Sequence, residues 1–106
     1  MVLTNANKEI HTVKIIDFGF SIFVEDIDET TPRCGTMNFI APEVHDRKKT
    51  FGKKIDVFSI GVIMYFLLSG ELPFDGSEGV LVRKNIIGGK WNFNAEIFEQ
   101  VTVEAK

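Results

Sequence analysis

Positions 54–69 read KIDVFSIGVIMYFLLS, and no other stretch limits the possible folds so strongly. Apolar residues stand at Val57, Phe58, Ile60, Val62, Ile63, Met64, Tyr65, Phe66, Leu67 and Leu68. At 3.6 residues per turn they point in every direction, which is the pattern of a helix covered on all sides. Gly70 suits a left-handed cap and Pro73 bars continuation. The apolar run is broken by Ser59 and Gly61 and is too short for a bilayer, which takes roughly 20 residues. Such a helix needs neighbours on each face, so the first question is what the rest of the chain can supply.

The supply is thin. Val2 and Leu3 read as the end of a strand, 5–8 as a turn because Asn tolerates positive φ, and the β-branched run 12–16 as the second strand of a hairpin. Asp17 then stands at a strand end, and Gly19 frees the backbone just beyond it. Positions 21–33 hold acids, threonines and a proline without a sustained period, and read as loop. Pro42 opens a short helix with Glu43 in its first turn, ending near Asp46. A weaker helix is expected over 77–87, stopped by Gly88 and Gly89, and another from Phe98 to Lys106. The result is an α+β chain, mainly helical with a short N-terminal β-hairpin. One hairpin and two weak helices cannot surround the 54–69 helix. The expectation is a piece of something larger, or a chain that needs a partner.

Composition narrows the function classes. With 106 residues there is room for one small domain, and a net charge of −3 argues against a nucleic-acid surface. Cys34 is the single cysteine, so no intrachain disulfide is possible and a reducing, intracellular and cytoplasmic setting is the simpler expectation. No N-terminal apolar signal segment is visible, and no membrane partner is expected.

Four motifs occur in order: Asp17-Phe-Gly19, Cys34-Gly-Thr-Met-Asn-Phe-Ile-Ala-Pro-Glu43, Asp56-Val-Phe-Ser-Ile-Gly61, and Gly61 through Phe74, ending Ser-Gly-Glu-Leu-Pro-Phe. Together they resemble the C-terminal lobe of a eukaryotic Ser/Thr protein kinase of the calcium/calmodulin-dependent group. The resemblance covers essentially the whole chain. It implies a partial kinase domain over 1–106: hairpin and Asp-Phe-Gly over 1–19, activation segment over 20–43, central helix over 54–69 and following helices over 77–106. The N-lobe, the catalytic loop and the last helices are not among these residues. The implied reaction moves the ATP γ-phosphoryl group to a protein serine or threonine, with ATP and Mg²⁺ required in the full kinase.

Roles follow residue by residue from that resemblance. Asp17 would hold Mg²⁺ against the ATP phosphates, a task that suits a carboxylate because Mg²⁺ is a hard cation. Val2 and Ile16 would line the ATP site. Phe18, Gly19, Thr30 and Thr31 belong to the activation segment, the two threonines as phosphorylation candidates. Thr36 would organise the acceptor site by facing the catalytic aspartate. Glu43 and Asp56 are structural: the first pairs with an arginine beyond Lys106, the second accepts bonds from the catalytic-loop backbone. Met37, Phe39 and Phe58 depart from the family's Pro, Tyr and Trp. Leaving such acids buried and unpaired costs roughly 3–5 kcal/mol each, against about 5–15 kcal/mol of total domain stability. The 106-residue chain alone is therefore expected to fold poorly or recruit another chain, and to transfer no phosphate. The alternative function is a non-catalytic kinase-like module that binds a partner protein.

Other features stay open or bland. The acids Glu25, Asp26, Asp28 and Glu29 are either a fixed substitute for an activating phosphate or a solvated loop. The basic residues Arg47, Lys48, Lys49, Lys53 and Lys54 are either a solvated face or a docking site. Cys34 reads as small apolar filler, His11 and His45 lack metal-ligand spacing, and Trp91 and Phe93 read as packing anchors.

Overall fold

The computed structural model describes residues 2–7, 10–74, 76, 78–91, 96–99 and 101–102, with side chains from residue 13 onward. Two antiparallel strands, β1 (Val2–Asn7) and β2 (Ile10–Lys14), come first. Val2 pairs with Lys14, Leu3 with Val13, Thr4 with Thr12 and Asn5 with His11, before an irregularity brings Asn7 opposite Ile10. The hairpin is where expected but its limits differ. Asn5, Ala6 and Asn7 belong to the strand, and β2 stops at Lys14, short of Ile16. Cross-strand pairing outweighs the turn preference of the two asparagines, and the bulge absorbs the misfit.

The helices follow the local signals closely. Helix α1 (Pro42–His45) starts on its proline and ends at Asp46. Helix α2 (Lys54–Ser69) has the expected bounds, and Gly70, at φ 76°, closes it by donating its N–H to the Phe66 carbonyl at 2.8 Å. Helix α3 (Gly79–Ile87) is shorter than the expected 77–87, because Glu78 is extended and its carbonyl receives the N–H groups of Leu81 and Val82. Single 3₁₀ turns lie at Val24–Asp26 and Met37–Phe39 within otherwise irregular chain. Of the helix expected from Phe98, the described part is a turn in which Val101 N–H reaches the Phe98 carbonyl at 3.1 Å; 103–106, like Phe93, lie outside the described residues.

The core sits on one side of α2. Val62 packs with Phe74, Val82 and Ile86, with Phe39, Phe58 and Leu72 around them. The Phe58 and Phe74 rings stack with centroids 5.8 Å apart, and Tyr65 meets Phe98 edge-on at 5.1 Å. The other side of α2 is bare. Val57 is 67% exposed, Ile60 51%, Met64 55% and Leu67 58%, and their spacing of three and four residues makes one stripe. A helix apolar all round has thus found cover for one of its faces among the described residues. Among the described residues seven apolar side chains are buried while nineteen large ones are exposed, which puts most of the hydrophobic surface in water.

Candidate functional site

Asp17 lies three residues past the end of β2, not at the strand end itself. It is the one non-glycine among the described residues with positive φ, at 63°. Aspartate tolerates this left-handed conformation better than most residues because its short side chain can bond locally. Here Oδ1 accepts the Gly19 N–H at 3.2 Å, and the carboxylate is exposed, with no other partner among the described residues. A Cβ at Gly19 would sit 3.2 Å from that same oxygen, so glycine is what lets the carboxylate fold over the turn. Phe18 is 66% exposed and Ile16 48%; the Val2 side chain is outside the described residues. Ser21 closes the turn, its N–H and hydroxyl both reaching the Phe18 carbonyl, at 3.0 and 2.7 Å.

The loop beyond is organised around Asp28. Its Oδ1 accepts the Thr30 hydroxyl and N–H, each at 2.7 Å, while the Thr31 hydroxyl oxygen accepts the Asp28 N–H at 2.9 Å. These bonds, Thr30's hydroxyl first, hold the Asp28 carboxyl below the usual carboxylate range. Thr36 is exposed; its carbonyl accepts the Phe39 N–H at 2.9 Å, and its hydroxyl has no partner among the described residues. Gly35, at φ 134°, turns the chain just before it. Ser59 of α2 fixes the far side by donating its hydroxyl to the Phe39 carbonyl at 2.8 Å.

Gly19, Thr31, Cys34, Thr36, Asp56 and Ser59 line one cleft of about 450 Å³. Asp17, Phe18, Ile16, Thr30 and Glu43 are not in its lining. Asp56 is exposed, and Glu43 is half-buried with no side-chain partner among the described residues. The expected cost of buried, orphaned acids is therefore corrected: among the described residues no polar or charged residue is buried. With no segment over it among the described residues, Asp56 is solvated instead. A second cleft, of about 530 Å³, is lined by Asp28 and Glu29 together with Arg33, Arg47, Lys48 and Lys49. The acidic and basic runs of the sequence thus share a wall, which their separation in the chain does not suggest.

Arg33 was not singled out in the sequence, and it makes the densest set of polar contacts in the region. Nη1 donates to the carbonyls of Glu43, Val44 and Asp46 at 2.9, 3.0 and 3.0 Å, and Nη2 to that of Lys49 at 2.7 Å. Its guanidinium lies 5.0 Å from the centroid of the Phe51 ring. No local pattern marks it, since every partner is ten or more residues away. His45, at the end of α1, has a buried Nε2 with no hydrogen-bond partner among the described residues. Burial, and then the nearby Arg83 guanidinium, push its imidazole below the ordinary histidine range, while Arg83 Nη2 donates to the His45 carbonyl at 2.6 Å.

Among the described residues, no group of three or more His, Cys, Asp or Glu side chains gathers as a metal site, and no helix is long and apolar enough to cross a membrane.

Comparison with known proteins agrees with the fold. The protein kinase domain family profile matches residues 2–106. Calcium-dependent protein kinase 4 of Plasmodium falciparum is 39% identical over 106 residues, which are 100% of this chain and 20% of that protein. Myosin light chain kinase 2 of Homo sapiens is 41% identical over 96 residues, 91% of this chain and 16% of that protein. The twitchin kinase region from C. elegans superposes with a TM-score of 0.61 at 35% identity, covering 65% of this chain and 12% of that one. The chain spans a fifth or less of the length of these curated relatives.

Proposed function

Because this chain belongs to the protein kinase family, we propose that it serves ATP-dependent phosphoryl transfer to serine or threonine hydroxyls of proteins. Its relatives are Ser/Thr kinases of the calcium-dependent and myosin light chain types. The observation that carries the proposal is Asp17. A carboxylate held in a left-handed turn by the Gly19 N–H, exposed and with one oxygen free of protein partners among the described residues, is fitted to a ligand that is not protein. A lone carboxylate suits Mg²⁺, which keeps several waters and takes one or two carboxylates plus phosphate oxygens. Asp17 would hold that ion, and the ion would neutralise charge on the ATP phosphates.

The rest of the chain serves position. Val2 and Ile16 flank the nucleotide, Phe18 and Gly19 turn the activation segment away from it, and Thr30 and Thr31 are candidate modification sites within that segment. Thr36, whose hydroxyl has no partner among the described residues and which lines the 450 Å³ cleft, shapes the acceptor site. In the transfer the acceptor oxygen bonds to the γ-phosphorus, the bridging bond to ADP breaks, and the hydroxyl proton leaves to a base outside these residues. Glu43 and Asp56 act through segments that cover them, and the bare stripe of α2 is the seat of those segments. The reaction belongs in an ATP-containing, reducing interior, in keeping with unpaired Cys34.

The test uses the full-length polypeptide that carries this chain, with radiolabelled ATP, Mg²⁺ and a mixed Ser/Thr peptide acceptor. Asp17→Asn lowers transfer by about a hundredfold or more, on the scale of losing a charge-stabilising group. The 106-residue chain by itself transfers none. Equal activity of the Asp17→Asn variant overturns the proposal; transfer by the short chain overturns only the reading that the base lies outside these residues. The exposed stripe also favours a second reading, a kinase-like module that binds a partner through α2; an inactive wild type that co-purifies with a stoichiometric protein through that face supports it.

A further inference from the structure

We propose that Arg33 is a positioning residue for the acceptor site, a clamp that sets the shape of the 34–46 loop on which Thr36 is carried. The inference rests on the kinase reading for the identity of the acceptor, but not for the clamp itself.

The geometry is specific to a guanidinium. Three carbonyls that leave α1 or follow it, those of Glu43, Val44 and Asp46, converge on one nitrogen, and the Lys49 carbonyl meets the other. The last carbonyls of a helix have no partner within it and carry its negative end, so a cation is the natural cap. Arg33 supplies that cap from the opposite end of the loop. The planar fork reaches several acceptors in fixed directions, and the Phe51 ring at 5.0 Å supports its face. None of the four bonds is to a carboxylate, so its work is on backbone shape.

That shape matters because the two ends of the loop are drawn together at Arg33 while its middle is fixed elsewhere. Cys34 and Gly35 follow directly, and Thr36 starts the Met37–Phe39 turn that Ser59 holds through the Phe39 carbonyl. Asn38 Nδ2 reaches the Phe74 carbonyl at 3.5 Å, and Arg83 takes the His45 carbonyl. With the middle tied to α2 and the exit to α3, Arg33 is the bond that closes the loop's entrance onto its exit. Without it, Thr36 and the residues beside it are free to shift relative to the cleft, and displacements near 1 Å cost large factors in positioned reactions.

The experiment uses the full-length polypeptide and three variants: Arg33→Ala, Arg33→Lys and Arg47→Ala. Arg47 lies in the turn between Asp46 and Lys49, whose carbonyls Arg33 binds, and its exposed side chain makes no hydrogen bond among the described residues, so its variant controls for charge alone. Two readouts are taken, the KM values for ATP and for the best peptide from a degenerate Ser/Thr library, and amide hydrogen exchange across the protein. For Arg33→Ala and Arg33→Lys the peptide KM rises roughly tenfold or more, while the KM for ATP stays within about twofold. Exchange quickens about tenfold over 34–46 and stays unchanged in α2, which shows the variants are folded. Lysine fails to rescue because one ammonium cannot meet four splayed carbonyls. Arg47→Ala changes neither readout. Unchanged exchange over 34–46, full rescue by lysine, or the same effects from Arg47→Ala overturn the clamp. If the wild type transfers no phosphate, the kinase reading fails, and the exchange data still decide for or against the clamp.

Discussion

Val57→Asn tests whether the bare stripe of α2 is meant to be covered. Valine and asparagine have similar helix propensities, so the substitution isolates burial. Complete burial of a valine is worth about 1.5 kcal/mol at the low end of the aliphatic range, and Val57 is 67% exposed in this chain. About 0.5 kcal/mol is therefore realised here and about 1 kcal/mol awaits a covering segment. Counting Val57, Ile60, Met64 and Leu67 alike, covering the stripe adds about 4 kcal/mol, a sizeable part of the roughly 5–15 kcal/mol that holds a domain together. In the 106-residue chain Val57→Asn should cost no more than about 0.5 kcal/mol. In the full-length polypeptide it should cost about 3–4 kcal/mol: the lost burial, plus about 1–3 kcal/mol for an amide left without partners. Urea denaturation followed by far-UV circular dichroism reads this as a midpoint lowered by about 1–2 M. A midpoint unmoved in the long protein means that nothing covers the stripe, and the argument from α2 is then wrong. A sharp, concentration-independent transition of the short chain that Val57→Asn lowers by several kcal/mol refutes it from the other side.

Two further outcomes test local features. His45 has its folded pKa lowered by burial and by Arg83, so below about pH 6.5 the unfolded chain takes up a proton that the folded one refuses. Stability falls as pH drops through that value towards the folded pKa, and the difference between wild type and His45→Gln in urea midpoint from pH 8 to 5.5 measures it; parallel curves would remove His45 from the account. Gly70→Ala meets no atom within 4 Å of the new Cβ, so its cost is backbone alone at φ 76°. It should lower stability by about 1 kcal/mol, read as a lowered melting temperature, and a neutral effect would mean that α2 ends differently in solution.

What the sequence disclosed and what it hid divide by range. Helix α2, its glycine cap and the proline start of α1 were legible because a few adjacent residues decide them. The strand limits were not, because Asn5 and Asn7 are turn formers that a partner strand recruited. Asp17 was singled out in the sequence through its neighbours Phe18 and Gly19, but its left-handed backbone was not foreseen, since nothing local demands it. Thr36 and Asp56 were named separately and share a cleft. Arg33 was invisible, because four carbonyls carry no side-chain signature. The exposure of Asp56 was misjudged for a related reason: apolar neighbours in sequence are cover only if some segment lies over them, and among the described residues none does.

The Arg33 fastening has acceptors that do not titrate and carry no net charge. At 2.7–3.0 Å it is shorter than any screening length salt can impose at physiological strength, about 8 Å. The charged side chains of Asp28, Glu29 and Lys48 line the cleft beside it, and salt screens charges at their exposed spacing; the four carbonyl bonds it leaves in place. The segment is thus tethered by a fixed point and bordered by an adjustable one, and changes in its surroundings will bend it about Arg33 before they release it.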